Sequence, residues 1–180
     1  MARGILQSGD LGGQRAVVRY IMVVDDDAKS ARETKAVLDQ AGFEAKVFKD
    51  GGQVHGGIAL DRPDLVLLKL ILPGESGFEI CERLKKQDRF LPVVIYSEIE
   101  LEAAQNLASK LGADGYVMRP CQPETLAKTI REVADVVWER QADEREGKEK
   151  GEIRFRCRCG HRMKEKLENR GKIVQCSQCQ

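Results

Sequence analysis

Five short apolar runs, each followed by a segment of helical periodicity, restrict this chain to a narrow set of folds. The runs are RYIMVV (19–24), FEAKVF (43–48), DLVLLKL (64–70), PVVIYS (92–97) and GYVM (115–118). All have strand length, and most lack the polar alternation of a strand with one wet face, as expected where both faces are covered. Between them, Ala31, Thr34, Leu38 and Ala41 recur at helical spacing, as do Leu101, Ala104, Ala108 and Leu111. Leu126, Ile130, Val133 and Val137 do the same after the fifth run. A shorter helix is expected with Phe78, Cys81 and Leu84 inward, and a weaker one over GGQVHGGIAL, where Gly56 and Gly57 each cost about 1 kcal/mol against alanine. Repeated βα units of this length predict a doubly wound five-stranded parallel sheet in the α/β class.

The pattern sets the division of the chain. Residues 1–17, with four glycines, are expected as a flexible leader, and 18–140 hold the α/β domain. After Trp138 the stretch ERQADEREGKEK carries nine charges in twelve residues. Its Glu144–Lys148 and Glu146–Lys150 spacings support an exposed helix, so 141–152 reads as a charged helical linker. Residues 153–180 form a separate small module. The last thirty residues hold eight Lys or Arg against three acids, net +5, which leaves −4 on the rest of a chain whose total is +1. The overall charge therefore gives no argument for nucleic acid or acidic membrane. No stretch approaches membrane-spanning length and the leader has no apolar signal segment. The six cysteines, two isolated and four in close pairs near the end, are not spread like a disulfide framework, so a cytoplasmic chain is expected.

In a doubly wound sheet the carboxyl ends of the strands line one crevice. The first strand delivers Asp25 and Asp26 there, the third Lys69, the fourth Ser97 and the fifth Arg119, followed by Pro120. Taken singly, each has a plain reading: Asp25 to Asp27 as a helix cap, Ser97 as a turn residue, Arg119 as a surface charge. Their joint position at matching strand ends argues for a site.

At this point the sequence resembles the response-regulator receiver domain over roughly 18–140. IMVVDDD is similar to its first strand and acid pair, and DLVLLKLILPGESGFEICERLK to its third strand, loop and third helix. LPVVIYSE and GADGYVMRPCQPETL are similar to the strands that carry its hydroxyl and its basic-residue–proline pair. The resemblance implies the flavodoxin-like receiver fold. It also implies an acid pair that holds Mg²⁺, an aspartate that accepts a phosphoryl group from a histidine kinase, a hydroxyl at Ser97, a switch aromatic at Tyr116 and a cis peptide before Pro120. Two positions depart from the pattern. Lys69 stands where the acceptor aspartate belongs, and Arg119 where the family has lysine. An ammonium near two carboxylates stays protonated and is no nucleophile. Asp25 and Asp26 against Lys69 and Arg119 already sum to zero, so Mg²⁺ is not expected and Lys69 is expected to sit between the acids in its place. The alternative is that Lys69 bends out to solvent.

Near the C-terminus, Cys157-x-Cys159 and Cys176-x-x-Cys179 are two close pairs with sixteen residues between them. Four thiolates so spaced fit structural Zn²⁺, and the segment resembles small zinc-ribbon modules. Two strands are expected between the pairs, around Ile173 and Val174. A redox dithiol is the other reading of these cysteines. Cys81 and Cys121 read as packing residues, and His161 as a surface residue.

These features predict a bacterial signal-transduction protein of the response-regulator, phosphorelay family, and not an enzyme. The pocket Asp25, Asp26, Lys69, Ser97 and Arg119 is expected to be degenerate, a pseudo-receiver that binds another signalling protein through the face of the fourth helix, fifth strand and fifth helix. One alternative keeps phosphorylation with a displaced acceptor, Asp26 or Glu75. Another makes the chain a nucleic-acid-binding regulator through the ribbon, whose single aromatic, Phe155, gives weak support for base stacking.

Overall fold

The computed structural model describes residues 16–149, 151–166, 169–171 and 173–179. The leader up to residue 15, Lys150 of the expected Glu146 pair and Lys172 of the ribbon lie outside the described residues, as does the side chain of Lys148. Five strands, β1 (Tyr20–Val24), β2 (Glu44–Phe48), β3 (Leu65–Leu68), β4 (Val93–Ser97) and β5 (Gly115–Met118), alternate with five helices. The helices are α1 (Ala28–Gln40), α2 (Gly51–Leu60), α3 (Gly77–Gln87), α4 (Glu102–Lys110) and α5 (Pro123–Glu149). All neighbouring strands pair in parallel, in the order β2-β1-β3-β4-β5. Every residue of β1 and of β3 is buried, which explains why those segments read as unbroken apolar runs. Edge strand β2 buries only Ala45, and charged Glu44 and Lys46 stand with Val47 at its exposed positions.

Two cores lie on opposite faces of the sheet. Ile21, Val23, Leu65 and Leu67 pack with Leu38 of α1 and with Leu126, Ile130, Val133 and Val137 of α5. Met22, Val24, Val66 and Leu68 pack with Val54 of α2, Ile80, Cys81 and Leu84 of α3, and Ala108 of α4. Period-2 alternation along the strands thus feeds two helical layers. Leu101, the N-cap of α4 and expected inward, is 67% exposed, and Ala41, Phe78, Ala104 and Leu111 are only partly buried. The glycine-rich α2 forms in full, because Asp50 caps it at Gln53 N and Val54 anchors it in the core.

α5 runs unbroken for 27 residues, through the charged stretch expected as a helical linker. Gly151, at φ 64°, then turns the chain back into an antiparallel pair, β6 (Glu152–Arg156) with β7 (Arg162–Lys166). The expectation that both ribbon strands lie between the cysteine pairs is therefore corrected. One strand precedes Cys157, while Ile173, fully exposed, and Val174 lie in irregular backbone. The alternation Ile153, Arg154, Phe155, Arg156 ahead of the first pair is what makes β6.

Candidate functional site

The strand order reverses between β1 and β3, and a crevice opens there at the carboxyl ends of the strands. The chain supplies three consecutive acids after β1 and gives them different tasks. Asp27 caps α1, accepting from the backbone N–H groups of Lys29 and Ser30. Asp25, only 3% exposed, turns inward, and Asp26 stays partly open. Lys69 follows β3 directly, its N–H donating to Val24 O at 3.1 Å. The loop beyond it is drawn close to α3: a Cβ on Gly77 would lie 2.2 Å from Lys69 O, so only glycine fits there.

Lys69 does not bend out to solvent. Its Nζ lies 2.7 Å from Asp26 Oδ1 and 3.1 Å from Asp25 Oδ1. From the other side, Arg119 Nη1 reaches Asp25 Oδ2 at 2.9 Å, and the guanidinium stacks on the Tyr96 ring, 4.7 Å from its centroid. Ser30, one turn into α1, closes the cluster. Its hydroxyl donates to Asp25 Oδ2 at 2.6 Å and accepts from Arg119 Nη1. Neither Ser30 nor Tyr96 was singled out from the sequence. The signal for Ser30 was its spacing, five residues beyond Asp25 on the inner side of a helix start. The Arg119–Pro120 peptide is cis.

Burial works against the charge of Asp25, but hydrogen bonds from Ser30, Arg119, Lys69 and Asp27 N outweigh it and hold its pKa below the ordinary carboxylate value. Burial likewise opposes the Lys69 ammonium. The hydrogen bonds to Asp26 and Asp25 more than offset this, and its pKa stands above the ordinary lysine value. Lys69 is thus a committed cation. The receiver family's Mg²⁺ needs oxygen ligands. Here an ammonium sits between the two carboxylates and no third carboxylate joins them from β3, so this donor set does not fit the ion.

Ser97 and Tyr116 do not join the cluster. The buried Ser97 hydroxyl accepts from Ile99 N at 3.2 Å, while the Tyr116 hydroxyl donates to Ile99 O at 2.6 Å. Both side chains grip one residue of the loop leading to α4. Glu75, weighed as a substitute acceptor, is held by the Arg83 fork, with Nη2 to Oε2 at 3.0 Å. A buried pair that the sequence did not disclose lies away from the crevice. Asp114, 4% exposed at its side chain, binds Lys85, Val93 N at 3.0 Å and Arg140 at 3.3 Å. Polar residues on a helix and in a loop read as solvent-facing until the tertiary fold brings them together.

The four cysteines of the C-terminal module converge. Their sulfurs lie within 4.8 Å of one another, with Cys157 to Cys179 at 3.4 Å and Cys159 to Cys176 at 3.7 Å. Gly160, at φ 84°, makes the tight turn after the first pair, closed by Gly160 N to Cys157 O at 2.8 Å and Cys157 N to His161 O at 2.9 Å. Tetrahedral zinc at about 2.3 Å from each thiolate demands sulfur separations of about 3.8 Å. The residues therefore fit such an ion. The crowded sulfurs share protons unevenly: Cys157 is drawn down to about 7, first by Cys159 N, and Cys179 is pushed up to about 12 by its three neighbours. The basic ribbon meets acids of α5. Arg156 and Arg162 both contact Glu139, at 3.3 and 2.9 Å, and Arg154 contacts Glu146 at 2.7 Å.

The family model for the response regulator receiver domain matches residues 21–131. The curated relatives include the DNA-binding response regulators MtrA of Mycobacterium tuberculosis and Mycobacterium leprae. Each is 39% identical over 111 residues, covering 62% of this chain and 48% and 49% of theirs. The chain thus spans about half the length of the curated relatives it matches. Among solved structures, a CheY-like receiver protein from Methanospirillum hungatei matches with a TM-score of 0.63 at 25% identity, covering 69% of this chain and 99% of that one. The receiver domain of a histidine kinase from Syntrophus aciditrophicus matches at 0.60 and 25%, over 66% and 92%. Among the described residues, no helix is long and apolar enough to cross a membrane.

Proposed function

The chain belongs to the response regulator receiver domain family, and on that premise we propose that it is a cytoplasmic signalling protein whose receiver is closed to phosphorylation and acts as a protein-interaction module. The single observation that carries this reading is Lys69 Nζ at 2.7 and 3.1 Å from the acid pair. The position that would attack phosphorus is a protonated ammonium, and the carboxylates that would hold a metal are neutralised by it. The substitute acceptors are engaged elsewhere, Asp26 by Lys69 and Glu75 by Arg83. Incubation with acetyl phosphate and Mg²⁺, followed by intact-mass spectrometry, should leave the native chain unmodified. A phosphoryl adduct would sink the proposal.

On this reading the protein is not an enzyme, and its output is the face of α4, β5 and α5. Ser97 and Tyr116 fix the loop that leads onto that face, and Leu101 and Leu107 are exposed there. A pull-down from native lysate should lose its partner when Leu107→Glu and Lys110→Glu are introduced together, and retention of the same partner would count against this face.

In the C-terminal module, Cys157, Cys159, Cys176 and Cys179 would hold one structural Zn²⁺, which would supply folding energy that so small an apolar content cannot. Redox chemistry at the same sulfurs predicts no stoichiometric metal in freshly purified protein. The nucleic-acid reading draws on the DNA-binding regulators among the relatives, but Arg154, Arg156 and Arg162 are engaged by acids of α5. The protein-interaction reading has the better support.

A further inference from the structure

Where β6 turns back along α5, a cleft of about 330 Å³ opens at the seam between ribbon and receiver. Four arginines line it from four parts of the chain: Arg89 in the loop after α3, Arg140 on α5, Arg154 on β6 and Arg170 beyond β7. Glu144 and Glu152 are the carboxylates of the lining, and Glu146 and Asp114 reach Arg154 and Arg140 from outside it, so the charges are matched in number and what the cleft offers is unused donors.

The pairing leaves donors of these forks unused. Arg154 is 10% exposed at its side chain, and its Nη1 donates to Glu146 at 2.7 Å. Its Nη2 is 3.7 Å from Glu152, an ion pair too long for a hydrogen bond. Arg154 Nε and Glu152 Oε2 are both buried without a hydrogen-bond partner. Arg89 is engaged by Glu144, and Arg140 by Asp114 at 3.3 Å, each with donors left over from a five-donor fork. Arg170 makes no ion pair among the described residues and is exposed.

Guanidinium forks match the geometry of phosphate oxygens, and a space of about this size suits a small molecule. The two carboxylates would repel a bare polyanion on their side of the cleft but accept from hydroxyl groups. We propose that the seam is a binding site for a small phosphate monoester that also carries hydroxyl groups. Because residues from both the receiver and the ribbon line the cleft, occupancy stabilises the docked arrangement by mass action.

The test uses the full chain as purified, with metal content measured, and titrates glycerol 2-phosphate at pH 8 by calorimetry. Sulfate at matched ionic strength and free glycerol serve as separate arms. The expected result is saturable binding of glycerol 2-phosphate with a dissociation constant on the order of millimolar or tighter, and weaker binding of sulfate and glycerol. Arg154→Gln and Arg170→Gln should each weaken it by about tenfold. The Arg170 variant alters an exposed side chain and keeps the test valid should the Arg154 variant loosen the ribbon. Absence of saturable binding, sulfate binding as tightly as glycerol 2-phosphate, or an Arg170→Gln variant that binds like the native chain would each overturn the proposal.

Discussion

At the mouth of the sheet two carboxylates meet an ammonium that the chain itself carries, within 3.1 Å of both, while in the C-terminal module four cysteine sulfurs face one another within 4.8 Å. The first cluster is electrostatically complete as folded: Asp25 and Asp26 oppose Lys69 and Arg119. The second is a donor set whose deprotonation concentrates negative charge. The difference is one of supply. A covalently attached cation is always present at full occupancy and cannot be exchanged, whereas a recruited one makes folding depend on its availability and on pH. A cluster of acids is therefore not by itself a metal site, and the deciding residue is the one that arrives from the neighbouring strand.

The largest expected effect breaks the cysteine side of the comparison. Chelation should unfold the segment from Glu152 to Cys179 and leave the receiver's core intact, because apparent binding free energies of about 10–16 kcal/mol underwrite modules of this kind. Amide signals in an NMR spectrum, with metal analysis giving one equivalent beforehand, check this. Loss of receiver signals together with the ribbon would show that the two fold as one unit.

Next comes the crevice. Lys69→Asp leaves three carboxylates facing Arg119 and should cost about 3 kcal/mol without metal, an uncompensated charge in a partly buried site. Added Mg²⁺ should recover most of that loss in the variant and raise the melting temperature of the native chain hardly at all. If the native chain gains as much as the variant, Lys69 does not stand in for the cation.

The pH profile sharpens the same contrast. Because the pKa of Lys69 is raised on folding, its contribution is complete below the ordinary value of 10.5 and fades as pH climbs through the higher folded value. Asp25, with its pKa lowered, contributes above its ordinary 3.8 and loses that contribution as pH falls through the lower folded value. The contribution of this cluster to stability should therefore be level across the neutral range. Lys69→Met should remove the alkaline loss that belongs to this pair, and an unchanged alkaline limb would place that loss elsewhere. The smallest effect is at Ser30, where alanine should cost about 1 kcal/mol by denaturant unfolding, since Asp25 keeps its other donors.

Much of this was legible in the sequence, for identifiable reasons. The five sheet strands could be read because β1, β3 and most of β4 are buried on both faces, leaving no room for polar residues. The place of Lys69 followed from charge arithmetic at strand ends. What was hidden depended on who meets whom. Ser97 stands at the expected strand end, yet its hydroxyl is spent on Ile99 N, a choice made by loop geometry. Ser30 and the Lys85–Asp114 pair required knowing how α1 sits over β1 and how α3 meets the β5 entry. One ribbon strand, β7, does lie between the cysteine pairs, whereas β6 lies ahead of them, where its signal is the period-2 pattern of Ile153 and Phe155 rather than the cysteine spacing.

The length of α5 has a consequence for how the two clusters can influence each other. The helix begins at Pro123, beside the crevice rim, and the ribbon's arginines meet it at Glu139. At 1.5 Å per residue that stretch measures about 24 Å, some three times the distance over which physiological salt screens a charge, about 8 Å. A proton or ion gained at one cluster therefore goes unfelt as a field at the other. Titrations of the two should add like those of separate molecules, and any cooperation between them has to be carried by the rigidity of the helix or by a partner broad enough to touch both ends.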